Sequence, residues 1–254
     1  MLKRLLLAVL FAGLASPAFA TDYSDMWYLP AESGWGVNFT QNDGVIFMTF
    51  FVYGTDNNPV WYVAIAYEDA NGNFSGTLYS TTGTYFGAPW GGDTATAAGT
   101  ASFAPTDASH GTLTYTLNGG PTVVKSIERQ TLTAIDLTGN FTGGQAGGYS
   151  GCTDASDDFL YKDTFDLSVM QTGSNVTFTF AYPSLNCTFS GALVQEGQLF
   201  QVPSASYVCD DGTNTTASMS EIKLTSQGIE GRFGASGVGG GCREDATFSG
   251  VNLQ

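Results

Sequence analysis

One histidine, eight lysine and arginine residues, and no cysteine before position 152 are the scarcities of this 254-residue chain. Each one excludes something. Any nucleophile–histidine–carboxylate site would have to use His110. That residue sits in Asp107-Ala108-Ser109-His110-Gly111, the composition of a polar turn that opens a strand. The cysteines contain no C-x-x-C pair and lie far from the histidine, so a zinc site has no ligand set. Neither a phosphate-cradling loop nor a cofactor motif occurs, and no cofactor or metal is implied. Apolar residues never follow helical spacing for more than a turn or two. After the first twenty residues, no apolar run approaches the about 20 residues of a membrane-spanning helix.

The N-terminus has the parts of an export signal. Lys3 and Arg4 precede an apolar run over residues 5–14, and Ala18-Phe19-Ala20 is the small-x-small pattern cleaved by signal peptidase. The mature chain is expected to start at Thr21, with residues 1–20 removed and no cysteine nearby to take a lipid. Cleavage leaves six basic residues against 23 acidic ones, a net charge of −17. Such a chain repels nucleic acid and anionic membrane surfaces. The acidity is dispersed, as suits solubility in a secreted or periplasmic protein.

Strand signals fill the remainder. Residues 45–53 (VIFMTFFVY) and 60–67 (VWYVAIAY) are apolar on both parities, which predicts strands covered on both faces. Asn71-Gly72 and Asn118-Gly119-Gly120 mark hairpin turns, and Leu113, Tyr115 and Leu117 alternate with threonines. About seven strands are expected between Trp35 and Gln130. In the second half, Val176, Phe178 and Phe180 alternate with Thr177 and Thr179, and Thr172-Gly173-Ser174-Asn175 joins that strand to residues 165–171. Further strands are expected near 187–194, 199–209, 217–225, 229–233 and 247–253. Residues 37–50 resemble residues 167–180, which suggests a duplicated β unit. The pattern lapses between 130 and 136, so the expected domains are 21–132, rich in aromatics, and 133–254, containing the cysteines. The fold class is all-β, with two antiparallel barrels in tandem favoured because consecutive hairpins make meanders and closure removes edges. Two sandwiches are the alternative.

Four cysteines in an exported chain read as two disulfides with three pairings. Cys187 with Cys209 and Cys152 with Cys242 are the expected pairs. A tight turn at Glu196-Gly197 would put Cys187 opposite Ser206, three positions short of Cys209, a gap that a bulge at Pro203 would close. Cys152 and Cys242 are each expected just before a strand, the first and the last of the second domain, which are neighbours in a closed barrel.

The run 27–38 (WYLPAESGWGVN), the strand 47–53, Pro59-Val60-Trp61-Tyr62-Val63, residues 111–115 and residues 125–130 together resemble a bacterial repeat domain found in exported proteins of unknown function. The resemblance covers nearly all of the first domain. It implies export and a compact β module, and no catalytic activity.

Two function classes compete. Glu32, Glu196 and Glu230 are the carboxylates that a carboxylate-dependent glycoside hydrolase would use. The alternative, and the favoured reading, is a non-catalytic binding module for a glycan, a small apolar ligand or an envelope protein. All four tryptophans, at 27, 35, 61 and 90, lie in the first domain. Trp27, Trp35 and Trp61 read first as core. Trp90, Phe86 and Tyr85 fall in a glycine- and proline-rich loop that has little to bury them, and with Trp35 they are the candidate contact residues. Asp154, Asp157 and Asp158 lack the spacing of a calcium loop and read as a solvated acidic turn.

Overall fold

A computed structural model describes residues 21–253; the expected signal peptide lies outside them. The first barrel comprises β1 (Asp25–Tyr28), β2 (Gly36–Asn42), β3 (Val45–Tyr53), β4 (Pro59–Glu68), β5 (Phe74–Gly83), β6 (Asp93–Pro105), β7 (His110–Leu117) and β8 (Thr122–Arg129). Each strand pairs antiparallel with the next, and β8 returns to β1 with Trp27 opposite Arg129. The seven strands expected from Trp35 onward are β2 to β8, and β1 closes the ring. Inside, Trp27, Phe39, Phe50, Phe74 and Phe103 are fully buried, with Trp27 packed edge-on to Phe103 at 5.0 Å.

The second sheet comprises β9 (Gly139–Ser150), β10 (Phe159–Thr172), β11 (Asn175–Ala181), β12 (Asn186–Ala192), β13 (Val194–Glu196), β14 (Leu199–Cys209), β15 (Asn214–Leu224), β16 (Gly228–Val238) and β17 (Cys242–Asn252). β17 pairs with β9 and β12 with β14, which closes a second ring and leaves the three-residue β13 as a flap on the start of β14. Phe141, Phe178, Phe180, Phe189, Phe233 and Phe248 fill its interior. The tandem-barrel architecture follows from the meander in each half.

The two barrels begin in the same way, bond for bond. In the first, Asp22 Oδ1 accepts from Ser24 N at 2.9 Å and Gln41 N donates to Ser24 Oγ at 2.9 Å. Gln41 Oε1 accepts from Tyr23 N at 2.8 Å, and its amide donates to the carbonyl two residues on, at Asp43. In the second, Asp136 Oδ1 accepts from Thr138 N at 2.9 Å and Gln171 N donates to Thr138 Oγ1 at 3.1 Å. Gln171 Oε1 accepts from Leu137 N at 2.9 Å, and its amide donates to the carbonyl of Gly173. The registers agree: Trp27 faces Val37 as Phe141 faces Leu167. The exits agree too, since Gln130 N donates to Met26 O and Leu253 N to Asn140 O. The two barrels share entry bonds, register and exit, with the 37–50 and 167–180 hairpins in equivalent places.

Three expectations need correction. β3 and β4 are covered on one face only. Their even-numbered residues (Ile46, Met48, Phe50, Ala64, Ala66) point inward, whereas Phe47, Tyr53, Trp61, Ile65 and Tyr67 are exposed. Cys152 follows the first strand of the second barrel instead of preceding it, because β9 is a strand that glycine-rich residues 139–150 concealed. Cys187 lies directly opposite Cys209, not opposite Ser206. The hairpin turn is Gly197-Gln198, with Glu196 opposite Leu199, and one extra residue on the β14 side around Pro203 completes the shift.

The barrels meet at their entry ends. Arg129 donates to Asp25 at 3.2 Å, both side chains buried, and to the carbonyls of Ala108, Ser24 and Asp22. Its guanidinium lies 5.0 Å over the Trp27 ring. From the second barrel, Gln198 N donates to the same Asp25 carboxylate at 2.9 Å. Gly197, at φ +64°, sits so close that a Cβ there would lie 2.3 Å from Asp25 Oδ2. Only glycine combines that left-handed conformation with that approach.

Candidate functional site

The β5–β6 connection, residues 84–92, leaves the first barrel at the end opposite this junction. Thr84 pins its base: its N and Oγ1 donate to Gly92 O, and Gly91 N donates back to Oγ1 at 2.9 Å. A closed base with no apolar neighbour inside leaves the rings outside. Trp90 is 72% exposed, Tyr85 79%, and Phe86 fully.

The outer face of β3 and β4 is also uncovered. Cross-strand pairs align Phe51 with Trp61, Phe47 with Ile65 and Val45 with Tyr67, and Phe51 packs against Trp61 at 6.3 Å. β4 begins beside the end of β5, so Trp61 and Tyr53 lie at the end from which the 84–92 loop projects. Gly36 lets Phe51 lie flat over β2, since a Cβ there would meet that ring at 2.9 Å. Trp35, half-buried, borders the patch; its indole N–H donates to Glu32 at 3.1 Å, and Glu32 in turn holds Lys125 at 2.7 Å. The Lys125 hydrogen bond keeps the exposed Glu32 carboxyl below its ordinary range.

The four nominated contact residues therefore gather at one end of the first barrel. Of the tryptophans read first as core, Trp27 is core, Trp35 is half-buried, and Trp61, at 61% exposure, is on the outside. Trp61, expected in the core, is instead an exposed ring on the outer face of β4. The signal was present, as a strand apolar on both parities has to cover its second face with something.

The competing chemistry does not assemble. Glu32 lies at the outer end of the first barrel, Glu196 on the β13 flap at the junction, and Glu230 on the outside of β16, so the three share no cleft. Asp107 Oδ1 accepts from Ser109 N and His110 N at 2.8 Å each and faces His110 Nδ1 at 3.0 Å, which makes it the cap of a turn. Asp154 caps a 3-10 turn by accepting from Ser156 N. Among the described residues, no group of His, Cys, Asp or Glu is arranged to hold a metal, and no helix is long and apolar enough to cross a membrane.

The second barrel carries both disulfides, Cys152–Cys242 and Cys187–Cys209. The first ties the end of β9 to the start of β17, and the second ties β12 to β14 across the closing seam. Two structural disulfides fit an oxidising compartment outside the cytosol.

The sequence matches no family model and no curated protein. Among solved structures it is similar to the vaccine antigen Transferrin Binding Protein B, a Trp-176-Ala mutant from Haemophilus parasuis Hp5. That similarity is at 10% identity with a TM-score of 0.29, over 89% of this chain and 67% of that one.

Proposed function

We propose that the protein is an exported, non-catalytic binding module whose first barrel docks a protein partner on its aromatic outer face. The supporting observation is the set of exposed apolar side chains on the first barrel: Phe47, Tyr53, Trp61, Ile65 and Tyr67 on the outer face of β3 and β4, and Tyr85, Phe86 and Trp90 on the 84–92 loop. Apolar patches of this kind on soluble proteins mark interaction sites. Tryptophan, tyrosine and phenylalanine are the side chains that dominate protein–protein contacts. The outside of a barrel is convex, which suits a broad partner surface better than the concave pocket a small ligand needs. Export rests on Lys3, Arg4, residues 5–14 and Ala18-Phe19-Ala20, with the mature protein starting at Thr21.

A photo-crosslinking amino acid at position 86 in the exported protein tests this. The reading predicts one dominant protein adduct, lost in Trp61→Ser and Trp90→Ser variants. Adducts that survive both substitutions contradict it. A glycan that protects Trp90 fluorescence, with no protein adduct, would reassign the ligand class.

A further inference from the structure

The second barrel holds an unpaired acid in its interior. Glu244, on an inward position of β17, is 2% exposed, and every group that hydrogen-bonds to it is a neutral tyrosine hydroxyl. Tyr161 donates to the carboxylate, Tyr207 approaches it at 3.5 Å, and Tyr149 lies directly opposite Glu244 on the adjoining strand. The polarity of the network runs one way. Tyr182 donates to Gln145 at 2.6 Å, Gln145 donates to the Tyr161 hydroxyl at 3.4 Å, and Tyr161 donates to Glu244. A chain of donors ending on one acceptor is arranged to hold an anion. No basic side chain among the described residues reaches Glu244 to balance that charge, and a buried carboxylate without a counter-charge is costly.

Glu244 also lies on the wall of a cavity. It has a volume of about 290 Å³, at the lower end of the range of ligand sites, and opens at the barrel end away from the junction, between the two disulfides. Tyr149, Phe159 and Tyr207 supply aromatic walls, Asp157 and Asp211 stand at the exposed rim, and no lysine or arginine lines it. Tyr149 and Phe159 have ring centroids 5.1 Å apart, and Tyr207 is held by stacking on Phe189 at 4.2 Å. The carboxylates are spread around the opening and do not converge, so the donor set does not suit a metal ion. Aromatic walls with a carboxylate at depth suit an organic cation, by cation–π attraction and by an N–H bond to the Glu244 lone pair that the tyrosines leave free. We propose that this cavity binds a small organic molecule through a protonated amino group, with Glu244 as its counter-ion and Tyr149, Phe159 and Tyr207 around it.

The site is separate from the aromatic face of the first barrel, and its fate does not depend on the docking reading. Burial raises the Glu244 carboxyl above the usual glutamate range against the opposing tyrosine hydrogen bonds, and a bound ammonium would favour its ionised form.

Calorimetric titration of the mature protein with benzylammonium chloride, beside neutral benzyl alcohol, decides the matter. Saturable benzylammonium binding is expected, with benzyl alcohol at least tenfold weaker. Glu244→Gln should weaken benzylammonium at least tenfold at unchanged secondary structure. The double rim variant Asp157→Asn/Asp211→Asn, on exposed positions, should weaken it several-fold and flatten its salt dependence, which keeps the test decisive if the Glu244 variant does not fold. No saturable benzylammonium binding to the wild type, equal binding of the alcohol, or affinity unchanged in the rim variant and in a folded Glu244→Gln would overturn the assignment.

Discussion

At the scale of single residues, the most exacting position is Arg129. It is buried between the barrels, paired with Asp25 and with three carbonyls, and burial pulls its pKa down while Asp25 pulls it back up. Removing one partner of a buried pair strands the other charge, so Arg129→Met should cost about 3–5 kcal/mol in urea unfolding. A loss below about 1 kcal/mol would show that water reaches Asp25 and that the junction is looser than the geometry implies. His110 supplies a pH signature. Desolvation lowers its pKa, but the Asp107 hydrogen bond and charge outweigh it and the net shift is upward. A raised folded value means the stabilising contribution is fully present below the usual histidine pKa of about 6.5 and is lost as pH rises through the folded value. The proton NMR titration of His110 should therefore have its midpoint above about 6.5, and Asp107→Asn should bring it down. A wild-type midpoint at or below that value would remove Asp107 as the cause.

Strands and hairpins show where the sequence was legible. The strongly alternating strands, such as β7 and β11, and the turn at Gly173-Ser174 were readable because threonine–aromatic alternation and glycine punctuation state them directly. β9 was not, since in GNFTGGQAGGYS the inward residues include Gly143 and Gly147, where a Cβ would come within 2.0 Å and 2.6 Å of the neighbouring β17. Their small size records close strand approach, which looks like a linker in sequence. β6 was within the expected count but had no residues assigned to it, because alanine and threonine dominate it. The four aromatic candidates could be nominated from the glycines and prolines around them, whereas the exposure of Trp61 needed the fold to show which face it occupies. The Glu244 network was invisible, because Tyr149, Gln145, Tyr161, Tyr182, Tyr207 and Glu244 come from four strands and one loop. The entry clasp gives a test at this scale. Gln41→Ala and Gln171→Ala each orphan a partly buried backbone N–H, of Tyr23 and of Leu137 respectively. Each should cost about 1–3 kcal/mol. Equivalent losses in thermal unfolding would mark the clasps as functionally the same device; a neutral substitution in either barrel would show that water replaces the amide there.

Across the whole molecule, the two barrels share a scaffold and carry different equipment. The first has no cysteine and carries exposed rings on its outer face as well as a buried aromatic core; the second has two disulfides and tyrosines around a buried acid. The junction joins their entry ends, so the aromatic end of the first barrel and the Glu244 cavity of the second both lie away from it. The docking claim turns on whether the outer face of β3 and β4 serves contact instead of folding. The most direct measurement is urea unfolding of the Trp61→Ser/Trp90→Ser double variant alongside its crosslinking yield from position 86. Stability within about 1 kcal/mol of the wild type, since exposed changes cost about 0.5 kcal/mol each, together with loss of the adduct, is the predicted result. A loss of several kcal/mol, or an adduct formed as readily as in the wild type, would contradict it.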